Sequence, residues 1–151
     1  NRVHSLLAVF AICRLFSSFR YREKKGCTFF LETNGNIVNV ASNAGFMGQA
    51  YTVPYCAAKG AVINMTRALA MEYIKTDLRV NAIAPGGMNT GMTENYHVPE
   101  GIDYSLMQTY TGFRGMAEPE SAANAICWMA SDEAARCTGS ILSVDGGLTA
   151  A

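Results

Sequence analysis

Tyr55 and Lys59 form a Tyr-x-x-x-Lys pair. If the segment around them is helical, the i,i+4 spacing lays both side chains on one face, within reach of each other. The ammonium of Lys59 would then favour the phenolate of Tyr55. A tyrosine assisted in this way can act as general acid or base at an alcohol or carbonyl oxygen. Alone the pattern is cheap, and a plain surface pair is the bland alternative. Position adds weight to it. Ser42 stands upstream at the end of an apolar run, where a neutral hydroxyl could donate to a substrate oxygen and steady its developing charge. Pro85-Gly86 closes a second apolar run, and a glycine there permits close backbone approach to a ligand.

These residues need elements to hold them. Asn34-Gly35-Asn36 is a turn signal. Residues 37–41 (IVNVA) read as a short buried strand that runs into the small loop Ser42-Asn43-Ala44-Gly45. From about Pro54 to Ile74 the chain has helical period. Ala57, Ala61, Met65, Ala68 and Met71 form a small-residue face on it, suited to close contact with a sheet or with another copy of the helix. Residues 79–84 (RVNAIA) read as a second strand. The stretch 86–112 is polar, rich in Gly, Thr, Tyr and Met, and reads as a functional lid or a disordered loop. Pro119 opens a further helix, with Glu118 and Glu120 suited to its positive end and Trp128 as a core residue. A third strand spans 140–144 before Asp145-Gly146-Gly147. Strand, helix, strand, helix, strand requires crossover connections and a parallel sheet, so the chain belongs to the α/β class. In such a sheet ligands bind at the carboxyl ends of the strands, and Ser42, the start of the long helix and Pro85-Gly86 all point there.

Composition sets bounds on function. The 151 residues are 50% hydrophobic and carry 12 basic and 12 acidic side chains. Such a balance lacks the basic footprint of a nucleic-acid binder. The 5 cysteines (Cys13, Cys27, Cys56, Cys127, Cys137) never fall in a C-x-x-C pattern. Their odd number and scatter fit a reducing compartment, so the expected location is intracellular and cytoplasmic. The apolar run 6–13 (LLAVFAIC) is far short of the ~20 residues that span a membrane, and no membrane partner is expected. The chain starts at Asn1 rather than Met, which points to processing or to a piece of something longer.

NIVNVAS (36–42), YCAAK (55–59), RVNAIAPG (79–86) and SILSVDGG (140–147), in this order and spacing, resemble the short-chain dehydrogenase/reductase family. The likeness runs from about residue 31 to the end and covers the C-terminal half of that family's fold. It implies a partial Rossmann-like, doubly wound parallel sheet, with residues 34–151 as the family half-domain and residues 1–33 as a segment unlike it. By the resemblance Tyr55 is the catalytic acid/base, Lys59 assists it and holds the nicotinamide ribose, and Ser42 orients the substrate carbonyl. Pro85 and Gly86 would line the nicotinamide pocket, Thr90 would contact the cofactor amide or phosphates, and residues 91–112 would form a variable substrate lid. The implied cofactor is NAD or NADP. The implied substrate is a small carbonyl or alcohol, such as a 3-oxoacyl thioester, a steroid or another secondary alcohol. The long helix and the last strand resemble the surfaces with which the family builds dimers and tetramers.

The departures define an alternative. No G-x-G-x-x-G or T-G-x-x-x-G-x-G turn occurs, although the family uses such a turn to cradle the cofactor pyrophosphate. No Asn lies between Asn1 and Asn34 to supply the family's proton relay, and Asn43-Ala44-Gly45 echoes its N-N-A-G segment in a different place. The second reading is therefore a catalytically inactive fragment or pseudoenzyme that pairs with relatives, with an unpaired edge on the 36–41 strand. A third, a serine hydrolase using Ser42 with His97 or His4, lacks the G-x-S-x-G elbow. Met88, Met92, Met107 and Met116 fit either a greasy substrate mouth or ordinary packing.

Overall fold

The computed structural model describes residues 35–91, 100–107, 110 and 114–150. Its frame is a three-stranded parallel sheet in the order β1 (Asn36–Val40), β2 (Arg79–Pro85), β3 (Ile141–Val144). Helix α1 (Val53–Glu72) joins β1 to β2, and helix α2 (Pro119–Ala130) lies between β2 and β3.

Strand alternation sorts the core into two layers. Ile37 and Ala41 from β1 and its end, with Val80 and Ala84 from β2, pack with Val62, Ile63 and Ala70 of α1. Val38 and Val40, with Ile83, Leu142 and Val144, face Met129, Ala122, Ala125 and Ile126 of α2. The two helices thus cover opposite faces, which makes the sheet doubly wound. The strands step in one direction while the helices take opposite faces, so the two crossovers have opposite hand. One of them departs from the usual right-handed rule.

The structure removes one of the two contacts open to the α1 stripe and corrects the place of Trp128. The small-residue stripe of α1 does not meet the sheet: Ala57, Ala61, Ala68 and Met71 are exposed, and Met65 is half-buried. The inward stripe is Val62, Ile63, Thr66 and Ala70, because aliphatic and β-branched side chains fill the space above the strands. Trp128 is not core but 40% exposed. It lies off the Ala122–Ala125–Ile126–Met129 stripe that the sheet covers.

Buried polar side chains brace this frame. Asn39 Nδ2 donates to Thr66 Oγ1 across the β1–α1 interface at 2.9 Å. Asn81 donates from Nδ2 to the Cys137 carbonyl and accepts the Ser140 amide, which fixes the approach to β3. Thr52 at the N-cap of α1 makes no side-chain cap bond. Its hydroxyl instead donates back to the Gln49 carbonyl at 2.9 Å, closing the turn before the helix.

Candidate active site

Parallel pairing carries the chain directly to Ser42. Beyond the last β1 residue, the Ala41 amide still donates to the Ile83 carbonyl at 2.8 Å. Ser42 then caps a short 3-10 turn over Asn43–Gly45. Its buried hydroxyl accepts from the Ala44 amide at 3.2 Å and donates to Asn43 Oδ1 at 3.1 Å. Gln49 Nε2 donates to the same Asn43 oxygen at 3.3 Å. Among the described residues Asn43 Nδ2 is buried without a hydrogen-bond partner. Sequence reasoning passed over Asn43 and Gln49 as site residues, since an amide beside a candidate serine carries no signature of its own.

Tyr55 occupies the first turn of α1 and is 43% exposed. Lys59 Nζ lies 5.6 Å from the centroid of its ring, in cation–π range. The same ammonium donates to the Val40 carbonyl at 3.0 Å. One side chain therefore ties the tyrosine to the carboxyl end of β1, immediately before Ser42. The i,i+4 contact follows from the spacing, whereas the bond to Val40 depends on how α1 lies over the sheet.

Pro85 ends β2 opposite Val144, and the Gly86 amide donates to the Val144 carbonyl at 3.0 Å. A β-carbon on Gly86 would fall 2.9 Å from both Cα and Cβ of Asp145. The close approach that this glycine permits is, on that side, to the chain's own backbone. The next residues are strapped to the entrance of α2. The Asn89 amide donates to the Ala117 carbonyl, the Ala117 amide donates to the Gly87 carbonyl, and Asn89 Nδ2 donates to Glu118 Oε1 at 2.6 Å. Thr90 follows this strap.

Asp145 organises the end of β3. Its carboxylate accepts the Gly147 amide, the Thr149 amide and, at 2.6 Å, the Thr149 hydroxyl. Partial burial pushes the carboxyl up, but these donors, led by the Thr149 hydroxyl, outweigh it and hold the pKa below its ordinary value. A concavity of about 620 Å³ lies beside it, lined by Arg114, Ser121, Asp145 and Thr149 among others, and not by Ser42, Tyr55 or Lys59. The side-chain chemistry, not this hollow, locates the candidate site. Met88 and Met107 are half-buried, and Met116 reaches toward Gly87. Met92, His97 and His4 lie outside the described residues, as does the whole 1–33 segment. Among the described residues no helix is long and apolar enough to cross a membrane.

A family model described as Enoyl-(Acyl carrier protein) reductase matches residues 9–149. Cis-4-hydroxycyclohexanecarboxylate dehydrogenase of Sinomonas cyclohexanicum is 42% identical over 117 residues, covering 78% of this chain and 46% of that protein. Meso-2,3-butanediol dehydrogenase of Serratia marcescens is 40% identical over 120 residues, covering 80% and 47%. The 3-oxoacyl-[acyl-carrier-protein] reductase of Thermotoga maritima is 41% identical over 118 residues, covering 78% and 46%. In solved structures, 4-hydroxyisoleucine dehydrogenase complexed with NADH superposes with a TM-score of 0.69 at 30% identity, covering 85% of this chain and 53% of the other. The chain thus spans about half the length of the relatives it matches. A family match over most of the sequence, relatives 40–42% identical and a shared parallel α/β frame agree: the chain belongs to the short-chain dehydrogenase/reductase family.

Proposed function

We propose that this chain carries the acid/base centre of an NAD(P)-dependent oxidoreductase that interconverts a secondary alcohol and a ketone. The observation that carries the reading is the placement of Lys59 Nζ, 5.6 Å from the Tyr55 ring centroid and bonded to the Val40 carbonyl beside Ser42. In the oxidative direction Tyr55 takes the alcohol proton on its phenolate oxygen as the carbonyl forms, and in reduction it returns that proton. Lys59 keeps its ammonium beside the Tyr55 ring. Ser42 steadies the substrate oxygen once its hydroxyl turns from Asn43.

The donor chemistry at this edge suits the nicotinamide end of the cofactor. A phenol and an ammonium stand together at the end of β1, and the Pro85-Gly86 backbone lies at the end of the adjacent β2. Tyr55 and Lys59 would hold the ribose, and Pro85, Gly86 and Thr90 would flank the amide. When bound, the cofactor supplies the acceptor or donor for the hydride exchanged with the alcohol carbon. Solved relatives named as complexes with NADH and with NADP support either form. The named relatives act on alcohols, diols and a 3-oxoacyl thioester, which supports a small carbonyl or alcohol substrate. A homo-oligomer would use the exposed small-residue stripe of α1, and the expected location is cytoplasmic.

A second reading is a family member without turnover that serves as an assembly partner through the exposed stripe of α1. Titration with NADH and with NADPH, followed by cofactor fluorescence, separates the two. Micromolar binding supports the oxidoreductase, and no binding supports the inactive form. If binding occurs, Tyr55→Phe should abolish turnover and spare binding. An active Phe variant would remove the role given to Tyr55.

A further inference from the structure

Tyr51 holds a φ of +65°, alone among the described residues other than glycine. A residue with a β-carbon resists this left-handed conformation, and such strain persists where the surroundings over-determine it. Here the surroundings are a second segment of chain. The Tyr51 phenol oxygen accepts the Asp103 amide at 2.9 Å. Asp103 in turn accepts from the Ser105 amide at 2.9 Å and the Ser105 hydroxyl at 2.6 Å, which starts the 3-10 turn Tyr104–Leu106. A second phenol works in the opposite sense, with Tyr110 Oη donating to the Ala50 carbonyl at 3.3 Å. Two tyrosines thus fasten Asp103 and Tyr110 to Ala50-Tyr51, just before the helix that carries Tyr55.

The fastened turn exposes apolar surface, with Tyr104 65% and Leu106 50% accessible. On the other side, Gln49 is bonded to Asn43, which takes the Ser42 hydroxyl proton. Tyr51 therefore stands between the Ser42 loop and the Tyr55 helix. We propose that Tyr51 is a positioning residue: its strained backbone aims the phenol at the Asp103 amide and fixes Tyr104 and Leu106 as an apolar wall for the carbon body of a secondary alcohol. The identity of the ligand rests on the acid/base reading of Tyr55, but the fastening does not.

The test is amide hydrogen exchange by NMR on this chain, with cyclohexanol as the probe alcohol. Tyr51→Phe keeps the ring and the backbone conformation but removes the acceptor. It should speed exchange at the Asp103 amide about fivefold to tenfold, the worth of one exposed hydrogen bond, and leave the α1 amides unchanged. Tyr51→Gly, which is at ease at positive φ, should release Asp103 equally without lowering the unfolding midpoint. Cyclohexanol should shift the Tyr104 and Leu106 resonances in the parent chain, and about fivefold more weakly in either variant. Unchanged Asp103 exchange in Tyr51→Phe, or a rise matched throughout α1, overturns the fastening. Equal cyclohexanol shifts in parent and variants, or none in the parent, overturn the wall. Each result is read without turnover, so a failure here is distinct from a failure of Tyr55 as acid/base.

Discussion

The backbone of Gly45 is pressed against the carbonyl of Lys59. A β-carbon built at Gly45 would lie 2.8 Å from that oxygen and 2.7 Å from Ile63 Cδ1. Two parts of the candidate site, the Ser42 loop and the Lys59 turn of α1, are thus spaced by the lack of a side chain at one residue. Gly45→Ala should force the loop away from the helix and destabilise the fold by about 1–3 kcal/mol, as overpacking does. Urea unfolding measures this, and a midpoint equal to the parent's would mean that the loop slides without cost.

Arg79 clamps the end of α2. Its guanidinium donates to the Met129 and Ala134 carbonyls at 3.0 Å each and to the Ser131 carbonyl at 2.9 Å. Met129 and Ser131 stand at the helix end, where a cation complements the helix dipole, and the guanidinium joins the Asn36 side-chain amide on Met129 and the Ala134 and Cys137 amides on the other two carbonyls. Arg79→Ala should lower stability by about 2–3 kcal/mol. Arg79→Lys should recover little of it, because a single ammonium cannot fork among three acceptors. Thermal melts of the two variants check the ranking, and equal recovery by Lys would contradict it.

Asn81 is fully buried and uses both ends of its amide on the segment leading into β3. Asn81→Ala leaves the Cys137 carbonyl and the Ser140 amide unmet, a loss of about 2–3 kcal/mol. Asn81→Asp keeps the acceptor for Ser140 but turns a carboxylate toward the Cys137 carbonyl, so it should be at least as damaging at neutral pH. Denaturant midpoints for both variants decide this, and a mild Asn81→Asp would show that water reaches the site.

Acid should loosen the end of β3. The folded-state pKa of Asp145 lies below its ordinary value of 3.8. Its contribution to stability is therefore complete above that value and is lost as pH falls through the lower folded-state pKa. Asp145→Asn should lower stability at pH 7 and flatten its fall with acid below about pH 4. An acid limb of unchanged steepness in Asp145→Asn would assign the loss to other carboxylates.

The parallel sheet and the Tyr55–Lys59 contact were legible because each follows from a local rule. Apolar runs between Gly-rich turns became β1 and β2, and an i,i+4 pair on a helix must meet. The face of α1 was not legible. Ala57, Ala61, Ala68 and Met71 share a helical stripe as regular as Val62, Ile63, Thr66 and Ala70, and only the sheet decides which one is covered. Asn43 and Gln49 stayed hidden for the same reason, since the hydrogen bond from Gln49 to Asn43 exists only once the loop folds back on itself. The approach expected at Gly86 was to a ligand, whereas the one the structure shows is to Asp145, a residue far along the chain.

The opposite hand of the two crossovers bears on the order of assembly. β1, α1 and β2 are sequential neighbours and can meet by closing a short stretch of chain. β3 and α2 must first bring a long passage around to the far face of the sheet. That closure costs entropy before any contact repays it, so non-local elements of this kind form late. Arg79 and Asn81, whose partners on α2 and before β3 lie 50 or more residues away, would then act as final latches. Their loss should speed unfolding and leave the refolding rate nearly untouched.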